Sequence, residues 1–540
     1  MPNHEDNASS VSQLNIPFDA AVWWEQLQGH QLQTVINNYI IRGVPVGYEG
    51  MSSDTPVIYG NWQSVYNHRD AVWKSIKEDT ALGHKLGPFM APPHSSFIGS
   101  PMGAFVKKRS MKLRVVHDLS WPPGKSVNHH IDSAKYTVSY SSVADAAQLV
   151  YRCGQGAYMA KLDLESAYRQ VRVRQEDWGL LGSSWTDTDG KVSYYMDTVL
   201  PFGLRSAPKI FNDFATALHE IMVRRGAVNV VHYLDDFFTC SSSKYECEKS
   251  LKIMLEVCDM CSFPINVNKL IKPTTQLEFL GIVIDSVDMC TKISVERMQE
   301  IYSILFEWIG KTKCTKRQLL SLIGKLNYVS MVVSTGRTYL RRLIEASKSA
   351  KYLHQIVFLS NDAKCDILWW LNHLCIWNGV SIIPEPDWLE NEMIHFYTDA
   401  SDVAVAGVFG KSWFTQELSN SVRSMNIAGR EMLAFLKAVI TWRKALQGVK
   451  LVIHCDNQVV VQAINTGLSR DKNVMVFVRL LHLIIASLNF QCKAVYISTY
   501  NNVLADALSR LQFEKFFDLC PDADVCMTMP ADIYFDGKVM

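Results

Sequence analysis

Apolar residues along this chain recur in two rhythms, and carboxylates interrupt those rhythms at only a few places. Tyr158-Met159-Ala160-Lys161-Leu162-Asp163-Leu164 alternates as a strand does and closes on an acid. Val230-Val231-His232-Tyr233-Leu234-Asp235-Asp236-Phe237-Phe238 predicts strand, tight turn and strand, with two adjacent acids at the turn. Between the two runs, a stretch punctuated by Gly203, Pro201 and Pro208 leads into an apolar-periodic helix over 208–223. Helical spacing fills 295–375, with Thr315 as an N-cap. Further on, 394–401 reads as a strand ending in an acid, followed by strands over 403–409 and 413–416 and a helix over 427–445. Another strand ending in an acid spans 451–457, and Asn502 opens a terminal helix. The most apolar long stretch, 474–488, contains Arg479 and His482, so it predicts a buried helix face rather than a membrane span.

The Asp235-Asp236 pair is costly to place among such apolar neighbours unless a cation or partner is bound. Oxygen ligands at a turn suit divalent ions for phosphoryl transfer, and a third acid at the end of a neighbouring strand, Asp163, would complete a two-ion site. Taken alone, the pair reads equally as a hairpin turn with two solvated acids. Residues 107–114 place Lys107, Lys108, Arg109, Lys112 and Arg114 within eight positions before a strand-like run. Such a run is either a solvated face or a grip for phosphate, for which the planar arginine fork donates two hydrogen bonds at once.

Four features in order then resemble the reverse transcriptases: strand-borne Asp163 with Tyr168 after it, Pro201-Phe202-Gly203-Leu204 leading to Ala207-Pro208, the Tyr233-Leu234-Asp235-Asp236 turn, and Glu278-Phe279-Leu280-Gly281. The resemblance covers roughly 85–515. It implies that Asp163, Asp235 and Asp236 hold Mg²⁺, that Lys112 and Arg114 bind triphosphate, and that Tyr168 and Phe202 shape the nucleotide pocket. It also implies that the loop from Gly203 lies against template and nascent base pair. Asp399, Glu431, Asp456 and Asp506 resemble the four-carboxylate pattern of ribonuclease H, in order and on the matching elements. Four clustered carboxylates would repel one another without cations, so the resemblance again implies two Mg²⁺, with Mn²⁺ as a substitute and water as the nucleophile. The segment 495–501 lacks the histidine that some ribonucleases H carry there, as in the branch with Ala505-Asp506-Ala507-Leu508-Ser509-Arg510.

The implied fold is α+β: a right-hand polymerase of fingers, palm and thumb, then a ribonuclease H-like mixed sheet flanked by helices. Its implied partners are an RNA template, a DNA primer, an RNA-DNA hybrid and deoxynucleoside triphosphates. The expected division is a partly ordered leader over 1–54, fingers and palm over 55–293, a helical thumb and connection over 294–390, the ribonuclease H domain over 391–512 and a tail over 513–540. At 540 residues several cores are expected. The runs 116–128, 208–213 and 336–342 look like the DIRS group of retrotransposons, whose members pair this polymerase with a tyrosine recombinase, here expected as a separate product.

Composition changes the picture little. Apolar content of 48% and mean hydropathy of zero describe a globular protein. Net charge is only +1, so a polyanion would be steered by local patches, for which Arg169, Arg172, Arg174, Lys311, Arg317, Arg337, Arg341 and Arg342 are the candidates. Of thirteen cysteines only Cys258 and Cys261 are closely spaced, with no second pair at zinc-ligand distance, and scattered thiols fit a reducing compartment. With a polar, acidic start and no membrane span, an intracellular protein without a membrane partner is expected. Two other readings stay open: a domesticated or decayed copy that binds nucleic acid without catalysis, and an active ribonuclease H with an inert polymerase module.

Overall fold

The computed structural model describes residues 18–51, 54–106, 113–376, 380–383, 396–467, 469, 471–488, 490–535 and 538–539. The chain forms two compact units, one from 1–142 and 157–274, the other from 143–156 and 275–540.

The first unit begins with helices α1 (Ala20–Gln26) and α2 (Gln33–Arg42). Residues 18–42 were expected in a partly ordered leader; instead Trp23 is 0% exposed among Phe18, Phe214 and Phe263, and Ile36 joins the same core. Polar residues dominate this segment, but Phe18, Trp23, Leu27, Ile36 and Ile40 all reach the core while Trp24 and Ile41 stay exposed. Helix α3 (Arg69–Ala81) and strand β1 (Lys85–Phe89) follow, then the hairpin of β2 (Met102–Val106) and β3 (Leu113–His117). Lys112 lies outside the described residues.

The central sheet is antiparallel. Its order puts β9 (Ile271–Thr274) beside β4 (Tyr158–Asp163), then β8 (Asp236–Ser241) and β7 (Val230–Tyr233). A separate sheet contains β5 (Gly182–Thr186) and β6 (Val192–Asp197), with β6 paired to β1. Helix α4 (Ala207–Arg224) starts on Pro208, where a missing N–H costs nothing, and buries Ile210, Phe211, Phe214, Leu218 and Ile221 at helical spacing. Helix α5 (Lys244–Met260) covers the same sheet, with Cys258 and Cys261 buried at its end.

In the second unit, helices α6 (Arg341–Lys348) and α7 (Asn361–Ile376) precede a five-stranded sheet. Strands β10 (Phe396–Ala400), β11 (Ala404–Phe409) and β12 (Ser412–Glu417) are antiparallel. Helix α8 (Ile427–Thr441) crosses to β13 (Lys450–Cys455), which runs parallel to β10. Helices α9 (Gln458–Thr466) and α10 (Lys472–Leu488) lead to the parallel β14 (Gln491–Tyr496), and α11 (Val503–Ser509) follows. The sheet order is β12-β11-β10-β13-β14. This is the α+β arrangement expected: polymerase-like sheets, then a ribonuclease H-like mixed sheet flanked by helices. Helix α8 stops at Thr441 rather than 445 because Trp442 turns in against Phe396, Phe409 and Phe414. The supposed tail is also built in. Helix α12 (Phe513–Leu519) packs Phe516 and Phe517 on Trp413, and the amides of Asp524 and Thr528 donate to the carbonyls of Lys411 and Trp413, covering the β12 edge.

Candidate active sites

Strand pairing assembles the first acid cluster. In the β4–β8 ladder Asp163 is the direct partner of Asp236, so acids far apart in sequence face one another at one end of the sheet. The β7–β8 turn is Leu234-Asp235, and Leu234 takes φ +53°, a left-handed conformation that costs a side-chain-bearing residue roughly 1–2 kcal/mol. Asp163 is 3% exposed and accepts from Lys269 Nζ at 2.8 Å on both oxygens, while Lys161 Nζ is 3.2 Å from Asp236 Oδ1. Burial, with the nearby Asp163, raises the Asp235 carboxyl. Burial also pushes Asp236 up to about 6, with Asp163 and Asp235 adding to it and Lys161 opposing it. Asp236 Oδ1 is buried and makes no well-aligned hydrogen bond, its charge partner being the Lys161 ammonium. A crowded, desolvated set of carboxylate oxygens is the donor set that a hard divalent cation requires. Lys269 was invisible to sequence reasoning, since nothing local ties it to Asp163.

The neighbouring pocket joins the other predicted residues of this unit. Tyr168 packs its ring 5.5 Å from Phe202 and 5.4 Å from Phe211, and the Arg114 guanidinium lies 5.0 Å over the Phe202 ring. Gly203 has φ +106°, and a Cβ there would sit 2.1 Å from the His117 carbonyl oxygen, so only glycine fits this turn. Arg114 and Phe202 line a cavity of ≈ 210 Å³ together with Lys85, His117, Arg169 and Asp197. Two arginines counted as surface basic residues already have carboxylate partners, Arg169 in the interior and Arg174 at the surface. Arg169 bonds Asp197 and Arg174 bonds Asp177, because each lies beside a buried carboxylate. Arg342 likewise pairs with Asp362 and Asp366, leaving Arg337 and Arg341 at a cavity of ≈ 380 Å³.

The second cluster is set by parallel register. Tyr397 pairs with His454, so Asp399 and Asp456, each two residues on, lie level at the strand ends. Glu431, 7% exposed on α8, Cys455 and Asp456 bring ligand atoms within 4.8 Å of one another. Ser509 donates to Asp399 Oδ2 at 2.5 Å and Asn502 donates to the Thr398 carbonyl, which holds α11 on β10 and turns Asp506 toward the cluster. Arg510 Nε donates to Asp506 at 2.7 Å. Burial and the carboxylates of Asp456 and Asp399 push Glu431 up to about 9, and burial, with Asp456 and Asp506, pushes Asp399 to about 6. Asp456 Oδ1 is buried and unpartnered. Cys455 and Ser509, unsuspected from the sequence, touch two of the four acids; a small residue beside an acid carries no signal of its own.

Residues 106–284 match the family model described as reverse transcriptase (RNA-dependent DNA polymerase). The chain thus carries a reverse transcriptase domain. Over 427 residues it is 26% identical to the transposon Tf2-3 and Tf2-7 polyproteins of Schizosaccharomyces pombe, covering 75% of this chain and 28% of each polyprotein. It therefore spans little more than a quarter of the length of the curated relatives it matches. Two foamy viral protease-reverse transcriptase structures are similar at a TM-score of 0.49. The one in complex with ds DNA is 13% identical, covering 88% of this chain and 79% of that chain. The one in complex with RNA/DNA hybrid is 14% identical, covering 88% and 61%. No helix among the described residues is long and apolar enough to cross a membrane.

Proposed function

We propose that this chain is the RNA-directed DNA polymerase of a retrotransposon, copying a primed RNA template into DNA and hydrolysing the RNA of the resulting hybrid. The observation that carries the reading is the β4–β8 register, which faces Asp163 with Asp236 beside Asp235 and so crowds three desolvated carboxylates at one end of the sheet. Asp163, Asp235 and Asp236 would hold one pair of Mg²⁺ ions, and Asp399, Glu431, Asp456 and Asp506 a second, with Mn²⁺ as a substitute. Such ions supply activation of the attacking oxygen and charge relief for the leaving one.

The chain's own groups do the rest. Arg114, with Lys112, binds the triphosphate of the incoming deoxynucleotide. The Tyr168 ring, wedged against Phe202 and Phe211, lies beneath the sugar and excludes a 2′-hydroxyl. Gly203 lets the loop run close to the template and nascent pair. In the nuclease site Ser509 orients Asp399 and Arg510 steadies Asp506. Arg337 and Arg341 contact the duplex backbone, whose charge they suit. The motif runs 116–128, 208–213 and 336–342 support a DIRS-like lineage with a separately encoded tyrosine recombinase, acting inside the cell.

The decisive experiment gives the purified chain a primed RNA template, Mg²⁺ and deoxynucleotides, and separately a labelled RNA-DNA hybrid. Extension lost in Asp235→Asn and hybrid cleavage lost in Asp399→Asn is the expected result. A folded protein that binds the template yet does neither reaction would overturn the reading in favour of a binding protein, and cleavage without extension would reduce it to a nuclease.

A further inference from the structure

Behind Phe202 lies an ion cluster assembled from segments distant in sequence. Asp197, at the end of β6 and 1% exposed, accepts from Arg169 Nη1 at 2.6 Å on one oxygen and from Lys85 Nζ at 2.7 Å on the other. His117 Nδ1 is 3.3 Å from that second oxygen, and its Nε2 bonds the Gly182 carbonyl at 2.8 Å. Arg169 Nη2 is 3.0 Å from Asp79 on α3, which His84 approaches at 3.5 Å. Burial alone would raise the Asp197 carboxyl, but Lys85, Arg169 and His117 hold it well below the usual range.

Buried ion clusters are weak stabilisers, since well-packed apolar residues of similar volume commonly do as well or better. What apolar packing lacks is direction. Here the contacts close into a ring. Arg169 follows Tyr168 in the chain, Tyr168 meets Phe202, Phe202 carries Arg114, and Arg114 and His117 share strand β3. His117 then returns to Asp197 through its imidazole while its carbonyl sits under Gly203. Tyr168, Phe202 and Arg114 are therefore linked through Arg169 and His117 to a single carboxylate.

We infer that Asp197 is a positioning residue of the polymerase: through Arg169 and His117 it fixes the sugar-facing Tyr168 relative to the phosphate-facing Arg114, and so sets nucleotide KM and the choice of deoxyribose over ribose. This rests on the polymerase reading above. Asp197 is assigned no substrate contact; it acts through Arg169 and His117 on the two side chains that are assigned one.

Two variants test it. Asp197→Asn keeps the shape but removes the charge that Lys85 and Arg169 share, leaving Arg169 to Asp79. The triple variant Lys85→Met, Arg169→Leu, Asp197→Leu replaces the cluster by apolar side chains, so folding is kept while direction is lost. For each, thermal unfolding and hybrid cleavage by the same chain report folding, and steady-state kinetics with deoxy- and ribonucleotides report the pocket. The triple variant is expected to melt close to the parent and to cleave hybrid normally. Its kcat/KM for deoxynucleotides should fall on the order of 10–10²-fold, the size of effect that misplacement by about 1 Å produces, chiefly through KM. Its deoxy-to-ribo ratio of kcat/KM should fall as well. A folded triple variant with parental KM and parental ratio would overturn the inference, and so would a triple variant that no longer folds, because the cluster would then serve stability. Parent protein that folds but extends no primer would instead remove the polymerase reading itself.

Discussion

Glu431 offers a test of the proposed nuclease site that needs no turnover. Its carboxyl is 7% exposed, and burial with the neighbouring Asp456 and Asp399 moves it from 4.5 to about 9. In metal-free protein the unfolded chain releases this proton near 4.5 and the folded chain only near 9. The folded form is thus best favoured below the lower value and loses stability as pH rises through the window. At pH 7, two and a half units above the lower value, about 1.4 kcal/mol per unit gives a loss of roughly 3 kcal/mol. Glu431→Gln copies the protonated carboxyl and escapes that loss. In chelator at pH 7 it should be the more stable protein, with a melting difference on the order of 5–10 °C, whereas at pH 4.5 the two should nearly coincide. Mg²⁺ should close most of that gap. At a hundred times its dissociation constant it should add about 2.7 kcal/mol to the parent and little to the variant. Melts of both proteins at the two pH values, with chelator and with Mg²⁺, decide the matter. A variant no more stable than the parent at pH 7 without metal, or equal stabilisation of both by Mg²⁺, would refute the reasoning.

Three further outcomes are expected. Asp235→Asn removes charge at constant shape, so primer extension should fall by roughly 10² or more while hybrid cleavage persists; near-normal extension would remove the assignment of the first site. Tyr168→Val should raise ribonucleotide incorporation selectively, read as the ratio of kcat/KM for the two sugars, and an unchanged ratio would leave Tyr168 as packing. Trp23→Ala empties a fully buried site and strips the Cys261 carbonyl of its indole donor, which should cost about 3–5 kcal/mol in denaturant unfolding. A loss under about 1 kcal/mol would return residues 18–42 to the status of a leader.

The acids that end strands were legible because a carboxylate in an alternating apolar run breaks a pattern seen within ten residues. Asp163, Asp235, Asp399 and Asp456 all announce themselves in this way, and the helix that carries Glu431 follows from its spacing. What the sequence withheld was pairing across distance. The level placement of Asp399 with Asp456 depends on one parallel register, and the bond from Lys269 to Asp163 joins residues 106 apart. The leader misled for a related reason: composition averages over a window, whereas Trp23 and Ile36 bury themselves one at a time on a face that the rest of the unit supplies.

Arg169 shows most plainly why charge is the least legible property. In the sequence it stands with Arg172 and Arg174 as a basic run of the sort that attracts a polyanion, and nothing local contradicts that. The structure commits Arg169 to Asp197 and Asp79 and Arg174 to Asp177, and it buries enough of Arg172 to lower its affinity for a proton. For Arg169 a long-range carboxylate partner turns a surface attractor into an internal strut, which only the fold determines, whereas Arg174 stays 42% exposed beside an acid three residues away. The cations left for a polyanion are therefore fewer than counting suggests, and each that remains, Arg337 and Arg341 among them, should weigh more heavily on binding than one member of a diffuse patch would.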